Sequence, residues 1–220
     1  MNIENIKAHA SGGTINLSGQ SEGFTIVGNT STDIITGGDG NDIISGGGGN
    51  DTFKITSGTD TISDINTLDV FIVSNGATMN ATGVSTFSAT NASSNSGTAT
   101  LTTASTGGTI NMSSVGGTGG FTLIGSEKND SLTGSGNDDI LEIKSTGAGD
   151  GDTLDGAGGT DTLKLSTGTH TLANDNFLKN IEKLETNSSG STVVLTGQTE
   201  AFTIIGGTGN DIITAGSGDD

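Results

Sequence analysis

The chain has 220 residues, of which 39 are Gly and only 29% are hydrophobic; it has no Pro, Cys, Trp or Tyr. So small an apolar share excludes a thick globular core and leaves either a disordered chain or a thin, repeated core in which Gly has a geometric role. The 25 Asp and Glu against 7 Lys and Arg give a net charge of −18, which excludes nucleic acid and anionic lipid as partners, since both require basic clusters.

In chain order, residues 1–10 lack a basic segment followed by an apolar one, so no signal peptide is visible. Thr14–Ser18 (TINLS) and Phe24–Gly28 (FTIVG) alternate apolar and polar residues, with β-branched side chains, and read as strands. A nine-residue repeat follows: GNTSTDIIT (28–36), GGDGNDIIS (37–45), GGGGNDTFK (46–54) and ITSGTDTIS (55–63). Asp recurs at 33, 42, 51 and 60, with an apolar residue two places later each time. Asp64 and Asp69 lie just beyond, before the apolar run Val70–Val73. That run is among the longest apolar stretches and falls far short of the ~20 residues that span a bilayer.

Residues 86–106 are Ser/Thr/Ala/Asn-rich and read as a loop or a weakly specified turn, although TATLTT (98–103) alternates like a strand. The nonapeptides resume as GSEKNDSLT (125–133) and GSGNDDILE (134–142). After a four-residue insertion they continue as GAGDGDTLD (147–155) and GAGGTDTLK (156–164). The repeating Asp residues there are 130, 139, 152 and 161, and Asp150 stands where a fourth-position Gly belongs, as an extra ligand or a solvated turn. Residues 174–185 (NDNFLKNIEKLE) place Phe177, Leu178, Ile181 and Leu184 on one helical face, but serve equally as a turn leading into a strand. TVVLT (192–196) and FTIIG (202–206) are strand text, and GGTGNDIIT (206–214) opens a third cluster with Asp211 and Asp220.

A second, longer period is 178 residues. Asn2-Ile3-Glu4 returns as Asn180-Ile181-Glu182, Phe24-Thr25-Ile26 as Phe202-Thr203-Ile204, and Asp33-Ile34-Ile35-Thr36 as Asp211-Ile212-Ile213-Thr214. GTINMS…GGFTLIG (108–125) is a third, imperfect copy of residues 13–28. Phe24, Phe121 and Phe202 precede the clusters at matching positions and are expected to plug a thin core. A chain that stops inside a nonapeptide at Asp220 fits a piece of a longer array.

The pattern G-G-x-G-x-D-x-apolar-x resembles a known calcium-binding β-helix repeat, which implies two nonapeptides per coil and calcium in the turns, and the chemistry of the residues fits it. The Gly-rich half of each nonapeptide turns sharply, because Gly adopts positive φ without a steric penalty. Such a turn points carbonyl oxygens at a shared point. Calcium, a hard cation, takes roughly 6–8 oxygens, and one Asp per turn with backbone carbonyls from two stacked turns meets that demand. The D-x-apolar-x half forms a short strand with the apolar side chain inward. Two nonapeptides per coil place Asp33 over Asp51 and Asp42 over Asp60, about 4.8 Å apart. Carboxylates held so close repel, which makes cation binding and folding one coupled event.

With these motifs in place, the chain resembles the RTX (repeats-in-toxin) family of calcium-dependent proteins. The Thr/Ser/Gly-rich remainder is similar in composition to bacterial S-layer proteins and large RTX adhesins. The resemblance implies an all-β fold, a right-handed parallel β-roll or β-helix solenoid. It implies one continuous solenoid over 1–220, with calcium clusters at 28–69, 125–164 and 206–220 separated by segments 1–27, 70–124 and 165–205. The ligands it implies are Asp33, Asp42, Asp51, Asp60, Asp64, Asp69, Asp130, Asp139, Asp152, Asp161, Asp211 and Asp220, with carbonyls around Gly38, Gly40, Gly47, Gly49, Gly207 and Gly209. It further implies secretion, by the type I route in this family, to the cell surface, where external calcium folds the chain. The expected partners are calcium and then self-assembly or a cell-surface polysaccharide.

Catalysis is not expected. His9 and His170 are isolated, and no H-E-x-x-H, G-x-S-x-G or phosphate-binding loop is present. The competing expectation is the repeat region of a secreted toxin or enzyme whose active domain lies elsewhere. The 178-residue period favours an extended scaffold over that compact cassette.

Overall fold

A computed structural model of the chain describes residues 4–9, 11–144, 147–148, 151–172, 174–187 and 189–220. Among these residues every regular element is a strand and no helix occurs. The strands stack in parallel as a β-solenoid. The chain divides into two compact units, one of residues 1–102 with 114–119, the other of 103–113 with 120–220.

In the first unit one sheet carries Asn5–Lys7, Thr25–Asn29, Ile43–Gly47, Thr59–Ile62 and Thr78–Val84. A second carries Gly13–Asn16, Asp33–Thr36, Thr52–Ile55, Val70–Val73, Ser94–Asn95 and Gly116–Gly117. Alternation sends every second side chain inward, and parallel pairing sets like positions over one another. Ile26 therefore faces Ile44, which faces Ile62, which faces Ala81. On the other sheet Ile35 faces Phe53, which faces Phe71. All six of these large side chains are fully buried. Phe71 also meets Phe87 with ring centroids 5.8 Å apart. The core is a pair of one-residue-wide columns, which is how a chain with so little apolar content still excludes water.

The second unit repeats the design with leucine. Leu123, Leu141, Leu163 and Leu184 form one column. Ile110, Leu132, Leu154 and Leu178 form another. Its third sheet carries Gly147–Ala148, Gly168–Thr171, Ser191–Val194 and Ile212–Thr214. Phe24, Phe121 and Phe202 are all buried, as expected of core plugs.

The helical option for residues 174–185 is overturned. The segment makes strands Leu178–Lys179 and Lys183–Glu185 around a short turn. Leu178, Ile181 and Leu184 are buried while Phe177 is exposed. The columns of Leu154 and Leu163 each offer an apolar edge, and two short strands cover both where one helix would not. Residues 86–106, read as a loop or turn, contain strands Thr86–Ser88, Ser94–Asn95 and Thr98–Thr103.

Coil length follows the insertions. In the first cluster partners lie 18 residues apart, as Ile34 with Thr52 and Ile43 with Thr61. In the second cluster Ser131 pairs with Thr153 and Ile140 with Thr162, 22 apart, because the four-residue insertion enlarges the coil. The long period is kept in register as well as in text. Asn5 pairs with Thr25 and Lys183 with Thr203; Thr14 pairs with Ile34 and Thr192 with Ile212.

Candidate metal centre

The repeating Asp residues form ladders built on one hydrogen-bond rule. The main-chain N–H of one Asp donates to Oδ1 of the Asp at the same position of the next coil. Asp33 donates to Asp51 (2.8 Å) and Asp51 to Asp69 (2.9 Å), while Asp42 donates to Asp60 (3.0 Å). Gly13 and Phe24 supply the first N–H groups, to Asp33 and Asp42. In the second cluster Asp130 donates to Asp152 (2.8 Å) and Asp139 to Asp161 (2.7 Å). Gly108 and Phe121 donate to Asp130 and Asp139. Ser191 donates to Asp211 and Phe202 to Asp220 in the third. The stacking expected of Asp33 over Asp51 and Asp42 over Asp60 is present, with a main-chain donor inserted between the carboxylates.

The second oxygen, Oδ2, divides the sites in two. In Asp33, Asp130, Asp139 and Asp220 it is satisfied from its own turn, by the N–H of Asn29, Ser126, Ser135 and Gly216, four residues back. Asp69 takes the N–H of Asn66. In Asp42, Asp51, Asp60 and Asp161 the Oδ2 is buried and has no hydrogen-bond partner. An orphaned carboxylate oxygen in the interior is costly unless a cation or proton meets it.

The conformation of the second nonapeptide residue accounts for three of these four. Gly38 (φ 125°), Gly47 (φ 92°) and Ala157 (φ 70°) are left-handed, and they precede Asp42, Asp51 and Asp161 by four residues. The N–H of Gly47 goes to Asp64 Oδ2 (2.8 Å) and that of Ala157 to Asp155 Oδ1 (2.9 Å), so neither reaches its own repeat's Asp. The first glycine matters for space. A Cβ on Gly37, Gly46 or Gly156 would collide with Oδ2 of Asp42, Asp51 or Asp161 respectively. Carbonyls close in from the neighbouring coil: a Cβ on Gly28 would strike Gly46 O as well as Asp33 Oδ2, and one on Gly134 would strike Gly156 O and Asp139 Oδ2.

Asp64 sits over the Gly46–Gly47 turn and accepts from Ser45 Oγ and from both glycine N–H groups. Around the other glycines named from sequence, Gly49 (φ 110°) packs on the main chain of Ser31, Gly40 on Glu22 and Gly209 on Ser189 and Gly190, while Gly207 N–H donates to Thr186 Oγ1. Asp150 lies outside the described residues. Sequence reasoning missed Glu182, whose Oε2 accepts the N–H of Asp161 at 2.7 Å and so fills the next rung of a ladder otherwise made by Asp. It also missed Asn29, Ser126 and Ser135 as internal donors; a polar residue replacing the second glycine was the available signal.

Burial raises the carboxyl pKa of six ladder residues, partly offset by the N–H each accepts. Asp51 is pushed up to about 6, with the charges of Asp69, Asp33 and Asp64 adding to burial. Asp60 and Asp161 are pushed up to about 7. Asp42, Asp69 and Asp139 move the same way, burial again being the largest cause.

These observations test the fit of calcium. Among the described residues no three His, Cys, Asp or Glu side chains converge as a metal cluster. A cation in these turns therefore takes one or two carboxylate oxygens and completes its shell from carbonyls, which suits an oxygen-seeking ion of flexible coordination. The residues fit such an ion: orphaned buried oxygens face glycine turns that no side chain can enter.

Fold and site together define a parallel β-solenoid whose coils turn on glycine and carry inward-facing Asp ladders. Three of its glycine-rich segments match the RTX calcium-binding nonapeptide repeat. The model of that repeat matches in four copies, over residues 25–53, 115–142 and 203–220. Comparison with curated proteins and with solved structures gives no match.

Proposed function

We propose that the chain is a calcium-organised structural segment of a secreted bacterial surface protein, of the S-layer or adhesin type, and not a catalyst. One observation carries the calcium role: Asp42, Asp51 and Asp60 bury an Oδ2 that no donor meets. Each such oxygen is an interior negative charge that a bound cation neutralises. Calcium then converts mutually repelling turns into a rigid stack, and folding and binding share one free energy. The ligands in this reading are the ladder Asp residues together with carbonyls of the glycine turns, with Asp42, Asp51 and Asp60 as the strongest positions. Secretion is consistent with the family and with the −18 charge, which low calcium leaves uncompensated.

The 178-residue period, kept in strand register, supports an extended scaffold, in which one continuous solenoid spans the three clusters. The scaffold reading is tested on the parent gene. Further copies of the long unit on either side support it; a protease, lipase or pore-forming segment would replace it with the repeat region of a secreted toxin or enzyme. The calcium reading is tested by equilibrium dialysis of the purified chain. Asp42→Asn and Asp51→Asn are each expected to lower the bound calcium, and an unchanged stoichiometry in both refutes the assignment.

A further inference from the structure

Away from the Asp ladders, the second unit holds an open cavity of about 400 Å³, lined from the ends of strands Ile140–Ile143, Thr162–Leu165 and Lys183–Glu185. Strand register accounts for it. Ile143 pairs with Leu165 on one sheet, and Gly147 with His170 and His170 with Val193 on the next. Thr186 follows the Lys164–Glu185 pair. The corner between the two sheets therefore runs over 143–147 in one coil, 165–170 in the second and 186–193 in the third. Each corner is longer than the one before, so successive coils do not close over one another and a notch is left.

The lining is held in place. Leu165 is buried, and Ser166 O accepts from Nε2 of the fully buried His170 (2.8 Å) and from Ser191 Oγ (3.2 Å). Ser166 Oγ in turn donates to Lys144 O (3.3 Å). The charges, by contrast, are not matched within the protein. Glu142, Lys164 and Glu185 stand side by side on neighbouring strands, and Lys164 Nζ lies 3.5 Å from Glu185 Oε2. Among the described residues this is the one ion pair. The Glu142 carboxylate and the exposed Lys144 ammonium, both on the cavity wall, have no partner.

Glu142 and Lys144 are two residues apart, a step of about 6.6 Å along an extended chain. A carboxylate and an ammonium left open at that separation are the complement of a molecule carrying both charges about two residues apart. A dipeptide with free ends spans about 7 Å when extended and is such a molecule. A simple anion or cation answers one group and leaves the other open. The net charge of −18 further turns away anionic ligands, whereas a zwitterion carries no net charge.

We propose that this cavity binds a short zwitterionic peptide, with its ammonium at Glu142 and its carboxylate at Lys144. The Thr186 hydroxyl and the Asn187 amide, which also line the cavity, are available to the peptide group between. No ladder carboxylate takes part, so the site stands or falls apart from the calcium reading.

The test is titration of the calcium-loaded 220-residue chain with L-alanyl-L-alanine, followed by amide shifts in NMR, with folding checked by circular dichroism. Saturable shifts are expected around Glu142, Lys144 and Ser166, with a Kd of about millimolar. The N-acetylated dipeptide and the dipeptide amide, each lacking one charge, are expected to bind roughly tenfold more weakly. Glu142→Gln and Lys144→Gln are each expected to cost the same factor, while Lys54→Gln, in the first unit, leaves binding unchanged. A folded chain that gives no saturable shift overturns the site. Equal binding of the blocked dipeptides, or undiminished binding in both cavity variants, overturns it as well.

Discussion

The main-chain N–H of Asp33 donates to Asp51 Oδ1 at 2.8 Å, one coil away, while Asp51 Oδ2 faces Gly46 with no donor at all. One oxygen of the carboxylate ties two coils together. The other carries an interior charge that the protein does not answer.

The calcium-free chain is therefore expected to lose β-structure, and to regain it and compact when millimolar calcium is added. Far-UV circular dichroism and small-angle scattering, with reversal by a chelator, check this. Magnesium is expected to substitute poorly, because it demands a tight octahedral shell and keeps its waters. A spectrum indifferent to calcium would falsify the coupling of binding to folding.

Acid acts as a partial substitute for calcium. Three ladder carboxyls are raised by burial from an ordinary value of 3.8, Asp51 to about 6 and Asp60 and Asp161 to about 7. Folded pKa values above the unfolded ones mean that protonation favours the fold. That contribution is complete below about pH 4 and is lost as pH rises through 6 to 7. In chelator, β-structure is expected to be greater at pH 5 than at pH 8. In limiting calcium the dependence on added ion is expected to weaken below about pH 6, where protons compete for the same oxygens. A pH titration by circular dichroism in both conditions reads the two slopes.

Gly46→Ala drives a methyl into Asp51 Oδ2 and the Phe53 ring. The expected cost is about 1–3 kcal/mol in thermal or urea unfolding in calcium, with weaker calcium affinity. Gly19→Ala, where a Cβ meets nothing within 4 Å, is the matched control and is expected to stay within about 0.5 kcal/mol of wild type.

Ala157→Gly is expected to stabilise. Ala157 holds φ 70°, a region that costs a residue with a Cβ roughly 1–2 kcal/mol and glycine very little. A net gain of about 1 kcal/mol, after the extra chain entropy of glycine, is measurable as a rise in the melting temperature of the calcium-loaded chain.

Much of this was legible in the text of the chain. Asp recurring every nine residues with an apolar residue two places on placed Asp33 against Asp51 and Ile35 against Phe53. What spacing does not carry is the orientation of a single peptide. Asp33, Asp130 and Asp139 keep the spacing of Asp42 and Asp51, yet Asn29, Ser126 or Ser135, standing for the second glycine in ordinary conformation, turns its N–H inward and satisfies the carboxylate. Residues 174–185 misled for another reason: apolar spacing of 3.6 and two short strands joined by a tight turn bring the same Leu178, Ile181 and Leu184 inward. Glu182 belongs to the 178-residue period as the counterpart of Glu4, but no nine-residue repeat marks it as a ladder rung, because its turn has three residues where a nonapeptide turn has six.

The ladders also have a direction. In every rung the earlier coil gives the N–H and the later one gives the carboxylate, 18 to 22 residues downstream in the first and second clusters. A chain delivered amino end first can close no rung until the following coil has arrived, so its order trails its emergence by one coil, and the newest coil is always the unfinished one.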